Sequence, residues 1–425
     1  VFPPPGCAVR SQASTPGSPP SSVAAAGLRS PAFRPMSVWA RLAGKFDRRR
    51  RDLRSEDESE APEPPKKGLV ARSQLSHAQL ERLLDAELVN LTELTRMAWN
   101  GVPVRRRTTV WMLLLGYLPT NKSRRVATLA RKRREYADAV TQHFDIASNA
   151  RSQSDQTTLR QILVDVPRTT PSVPLFTLER IQSLMVRVLY VWAVRHPASG
   201  YVQGMNDLLS IFLIVFIADA TRPPECGADG AALDDGAIAL ATSRADSLSE
   251  EQLEEIAADT YWCLTKVLDS IHDHYTHSQP GLQRAALHVD GLLKRVDAEL
   301  HRHLEGQGIA LLQVTFRWIN CLLVRELPMR AVVRLWDTCV AEESGFGKFF
   351  PYVCAAFLCH FSETIRGLDA EDLHLFLQAL PTRDWADDDV ETLLSEAYIL
   401  STLFRDSPHH LIDNSLPTNP MDDNR

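Results

Sequence analysis

From Leu75 onward, apolar positions recur along this chain at the three-to-four-residue spacing of amphipathic helices. Leu80, Leu83, Leu84, Leu88 and Leu91 form one stripe, and Val126, Leu129, Tyr136, Val140 and Phe144 a second. Ile181, Leu184, Met185, Val188, Leu189 and Trp192 form a third. Further stripes are Tyr261, Leu264, Leu268 and Ile271; Val296, Leu300 and Leu304; and Leu312, Phe316, Ile319 and Leu323. The last is Val390, Leu393, Leu394, Ala397 and Tyr398. Between Asp207 and Asp219, the run Leu208 to Ala218 is apolar on nearly every side, which predicts a core helix. It is only about half the ~20 residues a membrane span requires. Asn90 with Glu93 has the spacing of a capping box opening a short helix to Trp99, and Asp387 to Asp389 place negative charge where another helix should start. No Asn-Gly or Asp-Gly pair separates two alternating segments, so hairpins have no support. The pattern predicts an all-α fold.

Residues 1–72 break from this rhythm. They are rich in Pro, Ser, Ala and Arg, then turn to charge blocks at Arg48 to Arg51 and Glu56 to Glu60. Such a stretch buries too little apolar surface to order itself and is expected to be a disordered arm. The basic cluster could meet anionic lipid, although the acidic block beside it favours a solvated tail. One large helical domain is expected over 73–405, with a polar tail over 406–425. Arg222 to Glu251, carrying Pro223-Pro224, Gly227, Gly230 and Gly236, reads as a long surface loop within that domain, or else as a boundary between two.

Composition narrows the function classes. Lys and Arg total 47 and Asp and Glu 53, for a formal charge of −6, which does not suit a nucleic-acid binder. The seven cysteines are an odd number without a C-x-x-C pair, as expected of buried apolar residues in a reducing cytosol. No secretory signal is readable in the opening residues. Phosphate loops, Gly-x-Ser-x-Gly elbows and His-Glu-x-x-His pairs are missing, so no nucleotide, hydrolytic or zinc site is expected. His272, His274 and His277 are close in sequence, but two-residue spacing sends side chains to different sides of a helix, and no metal is expected there.

Two segments place polar residues beside apolar helices. In Ile162-Leu-Val-Asp165-Val-Pro167-Arg168, the proline disfavours continued helix and should leave Arg168 projecting from a turn. In Tyr201-Val-Gln203-Gly204-Met-Asn206-Asp207, a glycine permits unusual backbone angles among several polar side chains. Local chemistry alone favours a structural Asp165–Arg168 ion pair, and a capped helix start for the second segment.

Together, Ile-x-x-Asp-x-x-Arg and Tyr-x-Gln-Gly-x-Asn-Asp resemble the TBC domain, a family of Rab GTPase activators. Trp99-Asn-Gly-Val-Pro103 with Arg107, Trp111 and Leu115-Gly116 is similar to the family's opening motif. Phe316-Arg-Trp318, Arg325-Glu326 and Leu335-Trp336-Asp337 are similar to a later one. The resemblance runs from Trp99 to Phe404, and stretches such as Tyr352-Val-Cys-Ala-Ala-Phe-Leu are similar to the member 22 subgroup. It implies an enzyme activator with no catalytic site of its own, acting on a Rab in its GTP form. GTP and magnesium would be held by that partner, with no cofactor here. Arg168 carries over as the arginine finger and Gln203 as the glutamine finger. Asp165, Tyr201, Gly204, Asn206, Asp207 and Arg107 are expected to be supports. The implied place is the cytoplasm, peripheral on endomembranes such as the Golgi, in vesicle trafficking. An adaptor working through the N-terminal arm is the alternative. There, Arg10, Ser14 and Pro16 have the spacing of a phosphorylation-dependent docking motif, and Thr15, Ser18 and Ser30 precede proline.

Overall fold

After a helical stretch over residues 78–85, the chain runs through α1 (Leu91–Ala98), α2 (Val104–Leu114), α3 (Arg125–His143), α4 (Gln153–Asp165) and α5 (Glu179–Arg195). The middle holds α6 (Met205–Ala220), α7 (Asp235–Arg244), α8 (Glu250–Ser270), α9 (Pro280–Val296) and α10 (Ala298–Gly306). The remainder comprises α11 (Leu311–Asn320), α12 (Met329–Ala341), α13 (Gly345–Lys348), α14 (Phe350–His360), α15 (Ser362–Arg366), α16 (Ala370–Gln378) and α17 (Asp387–Phe404). This is a computed structural model, and it describes residues 78–223, 233–342 and 345–405. The expected arm over 1–72, its phosphorylation motif and the tail over 406–425 lie outside the described residues. The fold is all-α: among the described residues the sole β-type pairing is one isolated bridge between Leu88 and Asn121. No described helix is long and apolar enough to cross a membrane.

The apolar run is the centre of the packing. In α6, Met205 through Ala218 are all buried, and the helix touches α2, α5, α7, α8 and α12. A helix with no polar face must be surrounded, and here it is. The amphipathic helices around it turn one stripe inward; in α5 every residue of the predicted stripe is buried. Trp111, Phe212 and Trp336 meet in edge and tilted contacts that lock α2, α6 and α12 together.

Several expectations need correction. The segment read as a loop over 222–251 contains α7. The Asp234 side chain accepts the Ala237 N–H at 2.7 Å, and Gly236 falls in the first turn, where its low helix propensity weighs least. Ile238 and Ala241 then bury against neighbours, while Ser249 and Gln252 form a reciprocal capping box that starts α8. Residues 224–232 lie outside the described residues. Leu88 leaves the first stripe because the chain extends there to pair with Asn121, and it is exposed, as is Val126 on α3. In α11 the buried face is Leu311, Thr315, Trp318 and Ile319, so the predicted Leu312 and Phe316 face outward. Tyr398 is half-exposed and packs edge-on against Trp99.

Candidate functional site

The Ile-x-x-Asp-x-x-Arg segment straddles the end of α4. Pro167 closes the helix, and Val166 to Arg168 continue as one 3-10 turn. Asp165 thereby stays buried at 2% exposure, while the Arg168 side chain is half in solvent. Arg168 Nε donates to Asp165 Oδ1 at 3.1 Å and Nη2 to the same oxygen. This leaves Nη1 without a partner among the described residues. The bond holds a flexible side chain near one geometry without hiding it.

Asp165 also faces the second segment. Its Oδ2 accepts the Tyr201 hydroxyl at 2.8 Å. Burial, then the hydrogen bond donated to Asp165, pushes the Tyr201 phenol well above its usual range, so Tyr201 remains a donor. Asn206 adds further ties. Its Oδ1 accepts the Gly204 N–H at 3.1 Å, and its Nδ2 donates to Thr169 Oγ1 at 2.9 Å. Asp165, Thr169, Tyr201 and Asn206 therefore bind the Arg168 turn to the loop that carries Gln203. Gln203 itself is exposed at the tip of that loop, one residue before the Gly204 cap of α6.

Gly204 is required by its place. Its φ is +107°, and a Cβ there would lie 2.5 Å from Asn320 Nδ2 and 3.1 Å from Cys321 Sγ. Gly204→Ala is expected to cost about 1–3 kcal/mol of unfolding free energy. Urea unfolding checks this; a loss below half a kcal/mol would show that the loop rebuilds freely. Beneath the loop, Asp207 accepts Arg325 Nε at 2.8 Å. Burial raises the Asp207 carboxyl pKa despite that guanidinium, and burial beside the Asp207 charge pushes the Cys321 thiol up to about 12.

Arg107 belongs elsewhere. Its guanidinium is engaged by Asp337, through Nε to Oδ1 at 2.9 Å and Nη2 to Oδ2 at 3.0 Å, and Nη2 also donates to the Val102 carbonyl. Asp337, fully buried, accepts Trp111 Nε1 and the Val102 N–H as well. No hydrogen bond among the described residues joins this cluster to Asp165, Tyr201 or Asn206; Arg107 ties α2 to α12 through Asp337. Sequence reasoning passed over Thr169, Asn320 and Arg325 as site residues; their contacts to Asn206, Gln203 and Asp207 form across 37, 117 and 118 positions. Among the described residues no three His, Cys, Asp or Glu side chains are grouped to hold a metal.

An exposed arginine and an exposed glutamine are thus presented side by side by buried polar anchors on an all-α scaffold. The chain belongs to the Rab-GTPase-TBC domain family, whose model matches residues 105–365. It is 45% identical over 334 residues to GTPase-activating protein gyp1 of Schizosaccharomyces pombe, which covers 78% of this chain and 62% of that protein. It is 40% identical over 360 residues to TBC1 domain family member 22B of Homo sapiens, covering 84% of this chain and 67% of the relative. The chain thus spans roughly three fifths to two thirds of the length of these curated relatives. Among solved structures, the crystal structure of the Ypt/Rab-GAP domain of Gyp1p matches with a TM-score of 0.71 at 40% identity, over 78% of this chain and 99% of that one.

Proposed function

We propose that this chain is a GTPase-activating protein that accelerates GTP hydrolysis on a Rab-family small GTPase in its GTP form. The observation that carries the reading is the buried Asp165–Tyr201–Asn206 connection, which joins the Arg168 turn and the Gln203 loop into one exposed constellation. Phosphoryl transfer requires positive charge on the γ-phosphoryl oxygens and an aligned attacking water. Arg168 supplies the first through a planar guanidinium that can meet phosphate oxygens in pairs. Gln203 supplies the second, because a neutral amide both donates and accepts. Asp165 holds the guanidinium near its working geometry, so less side-chain freedom is lost on engagement. GTP and its magnesium belong to the Rab. The activity would serve vesicle trafficking from the cytoplasmic side of an endomembrane such as the Golgi.

Single-turnover GTP hydrolysis across a panel of Rabs tests the reading. At least one Rab is expected to be accelerated, and Gln203→Ala is expected to lose about 10² to 10³ of the acceleration on that Rab. Because Gln203 is exposed, this variant should unfold at the wild-type temperature. Acceleration of no Rab in the panel, or an undiminished Gln203→Ala, would sink the assignment.

A further inference from the structure

Resting on the activating role above, we propose that Asn320 is a positioning residue for Gln203. Its carboxamide clamps the Gln203 backbone and so sets the direction in which the Gln203 side chain leaves the loop. Asn320 is the last residue of α11 and is buried. Its Nδ2 donates to the Gln203 carbonyl at 3.0 Å. The same nitrogen occupies the space a side chain at residue 204 would need, so clamp and glycine are two halves of one contact.

Asn320 is itself fixed from behind. Its carbonyl accepts the hydroxyl of the buried Tyr275 at 2.9 Å. Just beyond it, Leu322 and Leu323 adopt φ of +48° and +61°, left-handed angles that non-glycine residues avoid, and both side chains are fully buried. This strained reversal ends α11 beside the Gln203 loop. Asn320 Oδ1 is buried and lacks a hydrogen-bond partner among the described residues. A buried amide oxygen left without a partner carries a local cost. Here Nδ2 donates to the Gln203 carbonyl at 3.0 Å and, more weakly, to Cys321 Sγ at 3.8 Å, the acceptor goes unmet, and backbone strain lies just beyond. Such local costs concentrate where geometry is functional. Asn320 touches no reacting atom; it acts through the Gln203 backbone, and misplacing a water-orienting amide by about 1 Å is enough to lose most of its effect.

The test compares Asn320→Asp and Tyr275→Phe with wild type in the full chain. Asn320→Asp keeps the shape but sets an acceptor against the Gln203 carbonyl. Amide hydrogen exchange of residues 201–206 in the free protein should rise about tenfold, with residues 208–218 as protected as in wild type. On an accelerated Rab, the maximal hydrolysis rate should fall about tenfold to a hundredfold, with the half-maximal activator concentration within about threefold of wild type. Tyr275→Phe should move both readouts the same way by less. Unchanged exchange at 201–206 in a folded Asn320→Asp, a wild-type maximal rate, or a loss lying wholly in the half-maximal concentration would overturn the proposal. If Asn320→Asp does not fold, Tyr275→Phe decides on the same readouts. If wild type accelerates no Rab, the activating role fails, and the exchange comparison still decides the clamp.

Discussion

Arg168→Lys is expected to abolish nearly all acceleration of GTP hydrolysis, lowering the maximal single-turnover rate by ~10³ or more. Lysine keeps the charge, so this substitution isolates the geometry of the guanidinium fork. A single ammonium cannot bond Asp165 and reach two phosphoryl oxygens in the plane a guanidinium provides. The replaced side chain is half-exposed, and its pairing with Asp165 is screened by solvent on one side, so the unfolding midpoint should move little. Rab binding, read as the half-maximal activator concentration, should stay within about threefold. A Lys variant retaining a tenth of the wild-type rate would show that charge alone suffices and would displace Arg168 from its role.

Asp337→Ala should cause the largest loss of stability at any single position in the two motif clusters. The carboxylate is fully buried and accepts from Arg107, Trp111 and the Val102 backbone. Removing it leaves the Arg107 guanidinium, 5% exposed, without its counter-charge. Breaking one side of a buried pair costs about 3–5 kcal/mol, which urea unfolding would read directly. The compensated double variant Arg107→Met with Asp337→Leu should recover most of that loss, because an apolar pair carries no desolvation penalty. Equal stability of the single and double variants would mean that the cluster acts through packing rather than charge.

The helices were legible wherever burial alone determined the sequence. The α5 stripe and the α6 run needed only periodicity, because each faces core over its whole apolar surface. Periodicity failed where an apolar residue has another task or none inside the domain. Leu312 and Phe316 repeat at helical spacing yet lie outside, and the pattern reports a face without saying what it faces. α7 is hidden in the sequence because Gly236 resembles a loop residue, and only the Asp234 cap shows that a helix starts there. At the site, Asp165, Arg168, Tyr201, Gly204 and Asn206 could be picked because they fall within two short motifs, although the bond between the motifs, Tyr201 to Asp165, spans 36 positions. Asn320 and Arg325 could not, because nothing in a local window shows that they touch Gln203 and Asp207. The partner of Arg107 is hidden for the same reason: Asp337 lies 230 positions away.

The two oxygens of Asp165 point to different tasks, Oδ1 to Arg168 and Oδ2 to Tyr201 and the Gln203 loop. One carboxylate is therefore a shared node, and substitutions at the two arms are not independent variables. A double-mutant cycle across them should show coupling, with the combined loss smaller than the product of the separate ones. The Arg168 turn and the Gln203 loop are therefore expected to tolerate change only as a pair, and a redesign of either has to begin at Asp165.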